Sequence, residues 1–195
     1  MGRPLSAICN PDLKLTTMQT IQIIDQYYSD NPPLRQLLLT HSRQVMDCAL
    51  QAARKHPELG ADLQVLADGA MLHDVGIYLC HAPSIYCHGD APYLMHGYLG
   101  GQLLRELGLP VLARICERHT GAGLTRETII AHQLDMPLQD YLPETLEEKI
   151  ICWADKFYSK SHPDRVRTPQ QAYQSLLKFG EEGAKRFLDW QHLFG

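Results

Sequence analysis

Six side chains able to bind a metal ion stand apart from the rest of this sequence: His41, His73, Asp74, His96, His119 and Asp155. Each sits at a helix end or on an apolar helical face, where a polar group without a partner is costly. His73 and Asp74 close the run A-D-G-A-M-L-H-D-V-G (67–76), so an imidazole and a carboxylate leave one rigid helix end side by side. His41 lies one turn from both Leu37 and Val45. His96 has Tyr93 one turn before it and Gly100 one turn after, and His119 follows Ile115 and Cys116. Asp155 falls between Ile151 and Tyr158 at helical spacing. A single core-facing histidine is usually a hydrogen-bonded structural residue, and among ten His and thirteen Asp one His-Asp pair is expected by chance. Separate helices that each present such a group, in the order H…HD…H…H…D, are instead how metal sites are built inside helical bundles.

The elements that must position these groups follow from the apolar periodicity. Residues 1–16 contain two Pro, lack a clear period and read as an irregular arm. Met18, Ile21, Ile24 and Tyr28 define a short amphipathic helix over 17–28, broken by Asn31-Pro32-Pro33. A longer helix runs from Leu34 to His56 and carries His41 inward. After a turn at 57–60, Asp62 caps a helix over 63–74. The stretch 76–91, rich in Pro, Gly, His and Tyr, exceeds a usual helix–helix connection and is a candidate for covering a site. Pro92 opens a helix ended by Gly108, and Pro110 opens another ended by Thr120-Gly121. A short helix over 125–133 precedes one in which Pro143 is the first-turn residue and which runs to Phe157. Thr168-Pro169-Gln170-Gln171 has the form of a capping box, and Gly180 and Gly183 are expected breaks in the last helical region. No alternation is long enough to build a sheet, so the expected class is all-α, a helical bundle with ligands from several helices around a central site.

At 195 residues and 45% hydrophobic, the chain supports one substantial core. A net charge of −4 gives no general attraction to nucleic acid or an anionic membrane. The six cysteines (Cys9, Cys48, Cys80, Cys87, Cys116, Cys152) form no C-x-x-C pair, and no run approaches a membrane span. The first ten residues have no long apolar core behind Arg3 and are not expected to be a secretory signal. The expectation is a reduced, cytoplasmic protein without membrane or bulk nucleic-acid partners. Trp190, Leu193 and Phe194 offer a surface either for a homodimer or for packing on the chain's own core.

The ligand series resembles the HD-domain superfamily of metal-dependent phosphohydrolases, over roughly Leu37 to Lys160. The four defining residues match as His41, His73-Asp74 and Asp155, the last within I-I-C-W-A-D-K. His96 in M-H-G and His119 in R-H-T-G match the subset that holds two metals. The chain is most similar to the small stand-alone hydrolases that include the symmetric dinucleoside tetraphosphate hydrolases. It lacks the G-Y-P signature of the cyclic-di-GMP branch, and its C-terminal tail departs from the pattern. The resemblance implies an arm and short helix at 1–30, an HD domain at 31–160 and a helical extension at 161–195. It implies one metal on His41, His73, Asp74 and Asp155, a second on His96 and His119, and Asp74 as the catalytic bridge. A metal-bridging hydroxide would then attack phosphorus in line, with a small phosphorylated substrate, a nucleotide first. Four imidazoles and two carboxylates suit iron or manganese, with zinc, cobalt or nickel as alternatives.

Residues for the substrate phosphate are less sharply marked. Lys156 follows a ligand directly, Arg118 neighbours another, and Arg126 lies just beyond Gly121-Ala122-Gly123. His81 and His88 in the 76–91 stretch are candidates to line the pocket or protonate a leaving oxygen. Cys80-His81 and Cys87-His88 offer a rival structural zinc, against which adjacent residues rarely both turn to one tetrahedral ion. A di-iron oxygenase and a non-catalytic metal-stabilised sensor are the competing functions for the same ligand set.

Overall fold

Capping explains where most of the helices begin. The computed structural model describes residues 17–195, so the arm expected over 1–16 lies outside the described residues. Helix α1 (Thr17–Tyr28) leads into α2 (Pro32–Lys55), whose N-terminus is capped by Asn31 accepting from the Leu34 amide at 3.2 Å. Asp62 accepts from the amides of Gln64 and Val65 and starts α3 (Leu63–Leu72). Next come α4 (His96–Glu106), α5 (Pro110–Arg118) and the short α6 (Arg126–Ala131). Thr145 and Glu148 form a capping box on α7 (Leu146–Asp155). Thr168 and Gln171 form another on α8 (Pro169–Leu177), and α9 (Glu181–Phe194) closes the chain.

Helix α3 lies at the centre, packed by α1, α2, α5 and α7. A Cβ on its Gly69 would stand 2.6 Å from Ile115 Cδ1 and 2.9 Å from Ile151 Cδ1, so the absent side chain sets how closely α5 and α7 approach. Helix α4 lies against α5 through a stripe of small residues. A Cβ on Gly97 would meet the Cys116 carbonyl at 2.7 Å, and one on Gly100 would meet Cys116 Sγ at 2.6 Å. Helix α9 packs on α7 through Trp153, Phe157, Phe187 and Phe194, whose rings stack edge-on or tilted at 4.9–5.8 Å. Each fully buried ring of this kind contributes roughly 1.5–3 kcal/mol of apolar transfer. Trp190 and Phe194 are therefore buried on the chain's own core, while Leu193 is exposed.

The bundle carries one feature absent from the periodicity. The 76–91 stretch holds a three-stranded sheet in the order β2-β1-β3, made of β1 (Cys80–Ala82), β2 (Cys87–His88) and β3 (Ala91–Pro92). β1 is antiparallel to β2, with His81 opposite His88, and parallel to β3, with Cys80 opposite Ala91. Strands of two or three residues are too short to display alternation, which is why the segment reads as loop. Three helix bounds also differ from expectation. Pro92 ends β3 and is followed by a single 3₁₀ turn, Tyr93–Met95, before α4 begins at His96. Pro143 precedes α7, because the Thr145 hydroxyl takes the capping position. Gly180, at φ 118°, separates α8 from α9, whereas Gly183 lies inside the first turn of α9.

Gly76 is where α4 meets the end of α3. A Cβ there would stand 2.2 Å from the His96 carbonyl and 2.5 Å from the Gly100 amide, both backbone atoms that cannot yield. Gly60 has a left-handed φ of 70° but faces open space. Gly76→Ala is therefore expected to cost about 3 kcal/mol of stability, from overpacking, and Gly60→Ala about 1 kcal/mol, from backbone strain alone. Urea unfolding of the two variants checks this order.

Candidate metal centre

The turn that leaves α3 is held from three sides. The Tyr28 hydroxyl donates to the Val75 carbonyl at 2.7 Å, Cys116 Sγ donates to the His73 carbonyl at 2.9 Å, and the α4 backbone presses on Gly76. Asp74 sits in this turn, fully buried, and the other expected ligands converge on its carboxylate. Its Oδ2 lies 3.1 Å from His41 Nε2 and 3.0 Å from His73 Nε2. Its Oδ1 lies 3.3 Å from both His96 Nε2 and His119 Nε2. Asp155 closes the first set, with Oδ1 3.0 Å from His41 Nε2. The six side chains thus form two groups that share Asp74: His41, His73, Asp74 and Asp155, and Asp74, His96 and His119.

Backbone hydrogen bonds set which ring nitrogen faces the centre. The Nδ1 atoms of His73, His96 and His119 each stand 2.7 Å from the carbonyl three residues earlier, Ala70, Tyr93 and Cys116 respectively. A carbonyl only accepts, so each Nδ1 carries a proton and directs the ring's Nε2 inward as the ligand atom. The Nε2 atoms then confront one another, at 3.0 Å for His96–His119 and 3.3 Å for His41–His73. Two imidazole lone pairs at that distance repel unless a cation or a proton lies between them. Both Asp74 oxygens are buried and lack any well-directed hydrogen bond, although five nitrogens crowd them. Orphaned oxygens and inward lone pairs on four helices and turns are what a divalent ion requires, and the donor set fits one.

The protonation states agree. Burial pushes the Asp74 carboxyl up, but the charges on His73 and Lys160 outweigh it and hold it well below the usual carboxylate range. Asp155 behaves likewise, with Lys156 as its strongest partner. Burial drives His96 down to about 3, helped by its neighbour His119, and lowers His119 as well. Burial also opposes charge on His73, yet attraction to Asp74 and Asp155 raises it to about 9. In the absence of a metal, the cluster thus holds a proton on His73, which a divalent ion has to displace.

The residues expected to meet phosphate separate into two kinds. Lys156 lies at the site, its Nζ 2.6 Å from Asp155 Oδ2 and 3.1 Å from the His119 carbonyl. Arg118 instead turns to the Leu142 carbonyl and to Glu144, which it meets at 2.9 Å, and so ties α5 to the segment before α7. Arg126 is exposed at the start of α6, and His81 and His88 are exposed on the small sheet. None of these last four lines the hollow of about 340 Å³ that opens beside Asp155. The rival zinc site is also not assembled: the strand pleat buries Cys80 and Cys87 while exposing His81 and His88.

Sequence reasoning passed over Lys160 as a site residue. Its Nζ stands 2.6 Å from Asp74 Oδ2, its side chain is largely buried, and it faces the same hollow. Its spacing of five residues after Asp155 carries no signal, because the chain has already left α7 and no helical period applies. Tyr93, in the turn before α4, is a second such residue. It accepts from His96 through its carbonyl and stacks its ring on that imidazole at 4.8 Å.

An α-helical bundle whose helix ends converge on a buried His/Asp cluster is thus the class that fold and site define. Residues 38–159 match the HD domain family, and the chain belongs to it. The match contains all six converging residues and stops one short of Lys160. Among curated proteins, the chain is 41% identical over 107 residues to the uncharacterized protein MJ0778 of Methanocaldococcus jannaschii, covering 54% of this chain and 56% of that one. It is 31% identical over 140 residues to the tRNA (cytidine(56)-2'-O)-methyltransferase of Picrophilus torridus, covering 71% of this chain but 36% of that protein. The chain therefore spans about half or less of the length of these relatives. Among solved structures, the HD domain of the L. monocytogenes phosphodiesterase PgpH in complex with cyclic-di-AMP superposes with a TM-score of 0.51 at 18% identity. That superposition covers 87% of this chain and 92% of that one. This likeness is one of fold. No helix among the described residues is long and apolar enough to cross a membrane.

Lys160 compensates a buried carboxylate that a divalent ion would otherwise neutralise. Lys160→Met is therefore expected to destabilise the metal-free protein by about 3 kcal/mol or more, the cost of stripping a buried charge of its partner. Added Mn²⁺ is expected to restore most of the loss, which thermal unfolding with and without chelator measures.

Proposed function

We propose that this chain is a dinuclear metal-dependent phosphohydrolase that cleaves a phosphate ester or anhydride of a nucleotide-type substrate. The observation that carries the reading is the division of Asp74. One carboxylate oxygen faces His41 and His73, and the other faces His96 and His119. His41, His73, Asp155 and Oδ2 would hold one ion, and His96, His119 and Oδ1 the other, with iron or manganese favoured by the ligand types. Bound there, the metal pair supplies a water of lowered pKa and a sink for phosphoryl charge.

The chain's own residues do the rest. The three backbone carbonyls direct Nε2 of each imidazole inward and fix the ring angle, so little reorganisation remains on binding. Cys116 and Cys152 donate to the His73 and His119 carbonyls; burial raises both thiols, so they act as clamps and not as nucleophiles. Lys156 and Lys160 balance the carboxylates and present positive charge to an entering phosphate. Membership of the HD family supports hydrolysis, and the cyclic-di-AMP held by the PgpH domain supports a nucleotide. The order proposed is nucleoside phosphates or dinucleoside polyphosphates first and cyclic nucleotides second, a reading supported by the resemblance of the ligand series to the symmetric dinucleoside tetraphosphate hydrolases.

Metal analysis joined to a substrate panel tests this reading. The purified protein is expected to bind roughly two divalent ions per chain and to release phosphate or a nucleotide from at least one compound. Asp74→Asn should empty both positions and lower turnover by at least about a hundredfold, with helicity kept. His96→Asn should leave roughly one ion per chain. Substoichiometric metal in the wild type, with no turnover after Mn²⁺, Fe²⁺, Co²⁺ or Ni²⁺ is added, would sink the proposal.

A further inference from the structure

The hollow beside the metal centre has a wall whose charge the six ligands do not explain. Lys156, Lys160 and Arg167 all face it, together with Ser84, Ser159 and Tyr93, and its one carboxylate is Asp155. Ser159 and Arg167 also line a second hollow of about 500 Å³, where Arg165 and His162 join them and no carboxylate is present. Positive charge thus continues outward along the two linings, and Asp164, the one carboxylate within residues 156–167, lines neither. Cations clustered in this way focus an anion-attracting field.

The three cations nearest the centre are not equivalent. Lys156 and Lys160 are each committed to a carboxylate, Asp155 and Asp74, at 2.6 Å. Among the described residues, no carboxylate lies within ion-pair distance of Arg167 or Arg165. Arg167 is nevertheless held in place. Its amide donates to the Phe157 carbonyl at 2.8 Å, and its Nη1 donates to the carbonyls of Lys156 and Tyr158 at 3.2 and 3.4 Å. These bonds occupy one end of the guanidinium; among the described residues Nε and Nη2 have no protein acceptor, and Arg167 lines the hollow. An Arg fork that is pre-positioned, half-buried and unpaired has the geometry that grips phosphate oxygens in pairs. The hollow's volume lies at the low end for a small-molecule site, large enough for a short phosphate chain with part of a nucleoside.

We propose that Arg167 is the clamp for a second phosphoryl group, so that the substrate is a linear chain of at least two phosphates. The phosphoryl group under attack lies at the metal centre beside Lys160, the next one outward lies on Arg167, and the remainder passes toward Arg165 and His162. Arg167 makes the site selective for phosphoanhydrides over monoesters. This assignment rests on the phosphohydrolase reading for which phosphate is attacked, but the clamp itself is a binding claim.

The test compares two ligands that share a nucleoside and differ by one phosphoryl group, AMP and the cleavage-resistant α,β-methylene-ADP. Both are titrated calorimetrically into the full chain in buffered Mn²⁺. The wild type is expected to bind α,β-methylene-ADP at least about tenfold more tightly than AMP, the scale of one charge-assisted pair. Arg167→Met is expected to bring that ratio close to one while leaving AMP affinity within about twofold. Arg167→Lys, the conservative control for folding, should retain an intermediate ratio. A wild-type ratio under about threefold, no binding of either ligand, a ratio unchanged in Arg167→Met, or a parallel loss of both affinities overturns the clamp. The two readings fail separately. An Arg167-dependent ratio in a protein that turns over no phosphate compound upholds the clamp and sinks hydrolysis, and turnover of monoesters without the ratio does the reverse.

Discussion

The structure depends on one buried carboxylate. Asp74 has no exposed surface and no well-directed hydrogen bond, yet it remains ionised among four imidazoles and an ammonium. An isolated carboxylate in such a place would cost several kcal/mol, and the usual escape is to take up a proton. Here that escape is closed, because the positive charge gathered around Asp74 exceeds what its burial removes. Much of the surrounding architecture can be read as the means of bringing compensating groups to its two oxygens from opposite sides.

Two packing devices do this. On one side α3 and α7 run past α2, so that His41, His73 and Asp155 meet at Oδ2. On the other side α4 has almost no side chain where it touches its neighbours. Gly97 and Gly100 let it lie on the Cys116 end of α5, and Gly76 lets its first turn rest directly on the loop carrying Asp74. A methyl group at any of these three positions would push against backbone or a buried sulfur, and His96 would retreat from Oδ1. The local histidine–carbonyl bonds then convert that placement into ring orientation, since each Nδ1 finds its acceptor within its own preceding turn. Orientation is therefore local and cheap, while convergence is tertiary and rests on glycine.

This division explains what could be read from the sequence. The six converging residues were legible because each interrupts an apolar helical period with a group that has no reason to be buried, and helical period is a local property. The bundle was legible for the same reason, as were the capping boxes at Thr145 and Thr168 once a helix was expected nearby. The sheet over 80–92 was not, because its strands are too short for alternation and they pack against the short turns at 77–79, 83–85 and 93–95, which have no period of their own. Arg118 looked like a phosphate contact because it adjoins a ligand. At the end of α5, however, successive side chains point about 100° apart, which turns Arg118 to Glu144 when His119 turns inward. Lys160 and Arg167 failed in the opposite direction. They reach the site from a segment without period, so nothing in their spacing could announce it.

That segment shows how the C-terminal part of the chain bears on the centre. After Asp155 the helix ends, and the amides of Lys156, Phe157 and Tyr158 meet its last carbonyls, those of Trp153, Ala154 and Asp155. The backbone amide of Arg167 then donates to the Phe157 carbonyl and closes residues 156–167 into a loop, while Gln44 of α2 holds the far side through the Pro163 carbonyl at 2.8 Å. Pinned this way, the loop cannot swing Lys160 away from Asp74 without breaking bonds at both of its anchors. Helix α8, which begins just after the Thr168 cap, and α9, whose Phe194 ring packs on Trp153 of α7, hold the frame in which those anchors sit. The terminal helices therefore bear on the cluster indirectly, by keeping two cations registered against two carboxylates that the core alone would leave facing an open hollow.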